Sequence, residues 1–155
     1  MKKKRVVIIS LLLLLVSVIG ISSYFLFKDK INLLDVDHSA VDWNGKKQKD
    51  TSGEENTIAI PGFEKVTLYA NETKQAVNFH NPEINDCYFK ISLIHPDGSV
   101  LWISDLIEPG KGMYSIELEK TLAVGEYENA VLKYECFSLN DQSPLNGSEI
   151  NLKLV

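Results

Sequence analysis

The 155 residues carry a net charge of -5, and it is unevenly spread. The first thirty hold Lys2, Lys3, Lys4, Arg5, Lys28 and Lys30 against Asp29 alone, so the remainder of the chain sums to -10. A body that acidic repels phosphate polymers and excludes nucleic acid as an expected partner. Once the apolar front is set aside, the length leaves room for one domain of about a hundred residues.

The chain opens with a basic tail, 1–5, followed at 6–27 by a run of Val, Ile, Leu and aromatic residues broken only by Ser10, Ser17, Gly20, Ser22 and Ser23. As a helix, such a run spans about 33 Å, enough for a hydrocarbon core of about 30 Å. The cationic tail before it places the N-terminus in the cytoplasm and the bulk of the chain outside. Tyr24, Phe25 and Phe27 fall where aromatic rings favour the headgroup level. This is the pattern of an uncleaved signal anchor in a single-pass cell-membrane protein. The alternative is a cleaved secretory signal, with Val18 and Gly20 as the small residues before the cut. No Cys lies near the end of the run to make a lipoprotein anchor.

Residues 28–57 shift to Lys, Asp, Glu, Gly and Ser after a short apolar patch at 31–36, and read as a flexible linker. Trp43 is the one docking candidate in it, set against the commoner reading of a lone stalk Trp as incidental. From 58 to 155 short apolar or alternating runs follow one another between turn signals, which predicts seven strands near 66–70, 76–81, 87–94, 100–104, 113–118, 127–139 and 149–155. Pro61-Gly62, Asn81-Pro82, Pro96-Asp97-Gly98, Pro109-Gly110, Gly125 and Pro144-Leu145-Asn146-Gly147 punctuate them. The clearest hairpin is 89–104, reversing at His95-Pro96-Asp97-Gly98. The predicted fold class is all-β, two packed sheets.

Cys87 shares a strand face with Phe89, Ile91 and Leu93, and Cys136 shares one with Leu132 and Tyr134. With the domain in an oxidising compartment, a Cys87–Cys136 disulfide is expected. It would close a loop of about fifty residues and contribute roughly 4 kcal/mol in the chain-entropy view.

The order Cys87, Trp102, Tyr134-x-Cys136 resembles the Cys…Trp…Tyr-x-Cys frame of immunoglobulin domains. Two strands precede the one with Cys87, so the cysteine strands are read as C and F, neighbours in one sheet, with Trp102 on C′. The segments IPGFEKVTL, NPEINDCYFKISL, DGSVLWISDLIEPGK, LAVGEYENAVLKYECF and SPLNGSEINLKL are similar to a family of small membrane-anchored proteins of Gram-positive bacteria with one immunoglobulin-like ectodomain. That resemblance implies location and fold and carries no catalytic or binding residues.

Tests for chemistry return none. His95, Asp97 and Ser92 or Ser99 sit around Pro96 and Gly98, in a turn with no nucleophile elbow. His38 and His80 lack the spaced partners of a metal site, and no D-x-[DN]-x-[DN]-G loop marks calcium, leaving only an irregular interstrand set from Asp86, Glu83 or Asp97. Glycine-rich phosphate loops are absent, and Asn71-Glu72-Thr73 and Asn146-Gly147-Ser148 match glycosylation sequons by spacing alone. No catalytic, metal or cofactor-binding residue is assigned. The expectation is a non-enzymatic binding or assembly module that meets a protein partner at the cell surface through the 139–148 loop, the 110–112 turn or the terminal strand 149–155. The alternatives are a structural accessory of a membrane complex acting through its helix, or a cleaved secreted binding protein.

Overall fold

The computed structural model describes residues 33–45 and 57–155. The basic tail, the 6–27 segment and much of the 28–57 linker lie outside the described residues. The described part is all-β and contains no helix. Its strands are β1 (Val41–Asp42), β2 (Lys65–Val66), β3 (Lys74–His80), β4 (Cys87–Ile94), β5 (Val100–Ile103), β6 (Lys111–Glu117), β7 (Tyr127–Ser138) and β8 (Ser148–Leu154). They form a three-stranded sheet ordered β1-β6-β3 and a five-stranded sheet ordered β2-β8-β7-β4-β5.

The central pair is β4 and β7, antiparallel and in register without a break from Cys87 opposite Ser138 to Ile94 opposite Val131. Both segments alternate in sequence. Phe89, Ile91 and Leu93 therefore point to one face with Leu132 and Tyr134 while Lys90, Lys133 and Glu135 point to the other. Phe89 meets Tyr134 edge to face at 5.3 Å. The three-stranded sheet contributes Phe79, Met113 and Ile116 to the same core, and Phe79 reaches Trp102 of β5 with ring centroids 5.9 Å apart. One core thus lies between the two sheets.

The β4–β5 hairpin turns as its sequence requires. His95 N–H donates to Ser99 O, Gly98 N–H donates to His95 O, and Gly98 takes φ +85°, which an L side chain resists. Leu93 then faces Trp102. Beyond β5, Ser104 continues the ladder with its side chain: its backbone N–H donates to Ile91 O while its Oγ accepts from Ile91 N–H.

Three expectations are corrected. Among the described residues there are eight strands, not seven, because residues 34–43 of the stretch read as linker belong to the β unit, which runs Leu34–Val155. Composition hid this, since the segment is held by backbone pairing and a few side chains, not by an apolar face. Asp37 N–H donates to Leu106 O, Leu106 N–H donates to Asp35 O, and Trp43 N–H donates to Gly110 O. Second, the strand expected at 66–70 is regular only over Lys65–Val66. The buried Gln75 amide draws the chain beyond it into a loop, accepting from Tyr69 N–H and donating to the carbonyls of Tyr69 and Glu72. Third, the terminal strand does not offer its whole edge to a partner: β8 lies between β7 and β2, with Lys65–Val66 parallel to Lys153–Leu154.

Buried amides tie the turns to the sheets. Asn81 Nδ2 donates to the carbonyls of Cys87 at 2.8 Å and Ile107 at 2.9 Å, and Asn85 Nδ2 donates to Asn81 Oδ1. Asn85 also closes a two-way bond with the backbone of Ala59. The isosteric apolar change Asn81→Leu leaves the Cys87 carbonyl and one Asn85 amide hydrogen short of a partner in a dry site, while Ile107 O keeps only the Phe89 N–H. It should lower unfolding free energy by about 3–5 kcal/mol, read from the denaturant midpoint at unchanged slope.

Candidate functional site

Two places gather side chains into an arrangement that could act on something else: the docked N-terminal segment, hereafter the strap, and a cleft at the β7–β8 connection.

The strap, 34–45, starts at a clamp. Gln142 Oε1 accepts from Leu34 N–H at 2.6 Å and Gln142 Nε2 donates to Leu34 O at 3.0 Å, so one amide satisfies both backbone groups of one residue. Val36 bridges Leu106 in parallel, and β1 then pairs antiparallel with β6, Val41 opposite Gly112 and Asp42 opposite Lys111. The Asp42 carboxylate and the Lys111 ammonium meet at 2.5 Å across that pair; each shifts the other toward its charged form, Asp42 downward and Lys111 upward. Both are open to water, so the pair adds orientation more than stability.

Past β1 the chain crosses the outer face of the three-stranded sheet. The Trp43 indole stacks on the His80 imidazole with centroids 3.8 Å apart and planes 7° from parallel. Trp43 Nε1 donates to Asn78 Oδ1 at 2.7 Å, and the Tyr114 hydroxyl donates to Asn44 Oδ1 while accepting from Asn44 N–H. The floor is tight because residue 112 is glycine: a Cβ there would lie 2.9 Å from Trp43 Cδ1, from His80 Cβ and from the Phe79 carbonyl oxygen. His80 is 3 % exposed and its Nδ1 is buried without a hydrogen-bond partner. Burial pushes its pKa below the ordinary value, with a backbone hydrogen bond at Asn78 pulling weakly the other way.

The cleft forms where β8 stops accompanying β7. Pairing ends at Tyr134 opposite Ser148, and residues 135–138 are met instead by the folded-back loop: Phe137 bridges Pro144, Leu145 N–H donates to Cys136 O, and Ser138 N–H donates to Ser143 O. Between loop and strand is a cavity of about 400 Å³ lined by Lys133, Glu135, Phe137, Leu145, Ser148 and Glu149, among others. Of that lining, Leu145 stands exposed. Gly147 approaches the β7 backbone so closely that a Cβ would lie 2.3 Å from Tyr134 O, so the loop's position is set by that glycine.

The remaining residues singled out from sequence fall as follows. The Cys87–Cys136 disulfide expected from the sequence is not formed here: both are buried free thiols on neighbouring strands of one sheet, on the same face and diagonal to each other, Cys136 lying opposite Phe89. A hydrogen bond between the thiols holds Cys87 below its ordinary value and Cys136 above, burial adding to the rise of the latter. Trp102 lies on the strand next to β4. In the turn, Asp97 Oδ1 takes a hydrogen bond from Ser99 Oγ at 2.6 Å and lies 2.9 Å from His95 Nδ1. The hydroxyl is thus turned to the carboxylate and not to the imidazole, the reverse of a serine activated by a histidine base. The Ser99 bonds, with His95 beside them, hold the Asp97 carboxyl well below the usual range. His38 is exposed on the strap. Among the described residues no three His, Cys, Asp or Glu side chains converge.

Gln75, His80, Asn81, Asn85 and Gln142 were invisible as a set in the sequence. Asn81 carried only a turn signal, and nothing local marks a glutamine that will clamp a segment 108 residues away.

Comparison with family models, with curated proteins and with solved structures yields no match.

Trp43→Ala removes the stack and the Asn78 hydrogen bond without touching the core. It should cost about 2 kcal/mol and expose the backbone amides of 37–43 to hydrogen exchange while those of β4 and β7 keep their protection. Loss of protection throughout would mean that the strap is needed for the core.

Proposed function

We propose that this chain is a non-enzymatic, membrane-anchored binding or assembly module that holds an immunoglobulin-like sandwich outside the cell and meets a protein partner at the β7–β8 end. The cleft is the observation that supports the reading most directly. It combines apolar Phe137, Pro144 and Leu145 with charged Lys133, Glu135 and Glu149, the mixture of a desolvating centre and a polar rim found in protein recognition sites. The loop that roofs it is pinned to β7 by backbone bonds, so little ordering remains to oppose binding.

The immunoglobulin-like reading rests on order as well as on residues. β4, β5, β7 and β8 correspond to C, C′, F and G, and β3 and β6 to B and E. β1 then stands beside β6 where strand D stands beside E, supplied from the N-terminus and not from between C′ and E. In this register the cysteines belong to adjacent strands, so a bridge would lie within one sheet. Support for the anchor comes from the apolar run at 6–27 and the charges around it, and from the likeness to small membrane-anchored Gram-positive proteins.

A photo-crosslinking residue at Leu145 should capture one discrete protein in intact cells, whereas the same residue at Val100, on the β5 edge, should not. Combining Glu135→Lys with Glu149→Lys should reduce that capture tenfold or more. Equal capture from both positions would sink the assignment. The location is tested separately: protease added to intact cells should remove the domain, and protein extracted with its thiols blocked should carry the Cys87–Cys136 bridge, its intact mass two hydrogens below that of the reduced chain. Protection from protease together with two blocked thiols would place the domain on the wrong side.

A further inference from the structure

The geometry points to the Trp43–His80 contact as a proton-operated latch: protonation of His80 releases the strap from the outer face of the three-stranded sheet while the sandwich stays folded. This goes beyond the binding reading and does not depend on it.

The latch follows from what surrounds the imidazole. One face is covered by the indole at 3.8 Å. On the β6 side Gly112 stands opposite, with no room for so much as a methyl group. An imidazolium carries hydrogen on both ring nitrogens, and Nδ1 is the one that is buried without a partner. A charge formed there is cut off from water, and only the Asn78 backbone helps to meet it, which burial outweighs. The cheapest relief is local, since lifting Trp43 re-admits solvent to the ring and breaks, besides the short pairing of β1, only surface bonds to Gly110, Asn78, Tyr114 and Lys111.

Charges on the neighbouring elements do not compensate. Lys111 at the start of β6 and Asp42 on β1 are engaged with each other. Glu83 packs beside Gly110, and Glu108 precedes it in the β5–β6 connection. None of the four acts as a leading influence on His80; burial comes first and the Asn78 backbone opposes it. Because Asp42 is held below the usual carboxylate range, its pair with Lys111 stays ionised while a histidine titrates. Besides the Asn78 backbone, the interaction that favours the cation is the indole face itself.

The sign follows from linkage. The docked state holds His80 below its ordinary value of 6.5, so above 6.5 the proton is absent from both states and docking is complete. As pH falls below 6.5 the released state binds the proton first, and docking weakens by up to about tenfold per unit until the docked value is reached, below which the loss is constant.

The test is hydrogen exchange of the full chain in detergent micelles between about pH 7.5 and 5, corrected for intrinsic exchange rates, the range in which histidine titrates. Protection of 37–43 should fall as the pH drops below 6.5, by at most about tenfold per unit, while β4 and β7 hold theirs. His80→Phe keeps a flat ring in the stack and removes the charge, so its strap should stay protected across the range. If that variant fails to fold, the ring resonances of His80 in the unaltered chain provide the second reading, and their titration midpoint must coincide with strap release. Protection that is flat or rises as the pH falls would overturn the latch, the latter showing that indole–imidazolium attraction wins. A His80→Phe chain that still loses protection would overturn it as well.

Discussion

Everything else in this domain is referenced to the unbroken β4–β7 ladder. Eight consecutive pairs fix which residues face inward: a one-residue slip of β4 would drive Lys90 into the core and turn Phe89 and Ile91 outward, and one of β7 would do the same with Lys133 and Glu135 against Tyr134. With β5 on one side and β8 on the other, the pair is buried in the middle of its sheet. Its register puts Cys87 diagonal to Cys136. It also determines where the cleft opens, because β7 outruns β8 by the four residues after Tyr134 and a loop must cover the remainder.

Two sheets packed face to face leave edges and connections whose backbone groups need partners. Here the strap supplies several. Its first half pairs with Leu106, in the connection that leaves the five-stranded sheet, and its second half pairs with β6 at the edge of the three-stranded sheet. One short segment therefore crosses from one sheet to the other and satisfies groups on both. Asn81 does the comparable work inside, holding the carbonyls of Cys87 and Ile107 together.

The parts of this fold that were legible in the sequence are those with a period. The strand 87–94 was placed to the residue, since CYFKISLI alternates over its full length, and the turn after it was named by Pro96, Asp97 and Gly98. The sheet neighbourhood of the cysteines followed from strand order. β1 was not legible, because two exposed residues held by a backbone ladder leave no hydrophobic pattern, and the segment's Lys, Asp and Gly content looks like a linker. Trp43 was noticed as a docking residue, but the surface it docks on is its own domain. The burial of His80 was out of reach for the same reason: a histidine in a strand is unremarkable until a residue far away in sequence is seen to cover it.

The strap and the ladder differ in how they would fail. The ladder can open only by exposing the core, whereas the strap is held by a handful of backbone bonds, the Gln142 clamp and one aromatic stack. Segments with few buried apolar contacts open at free energies well below that of global unfolding. Undocking therefore leaves the sandwich intact but strips β6 of its partner at Lys111–Gly112, creating a free edge of the kind that accepts a strand from elsewhere. The segment at which the described domain begins is thus also the one that keeps this edge closed.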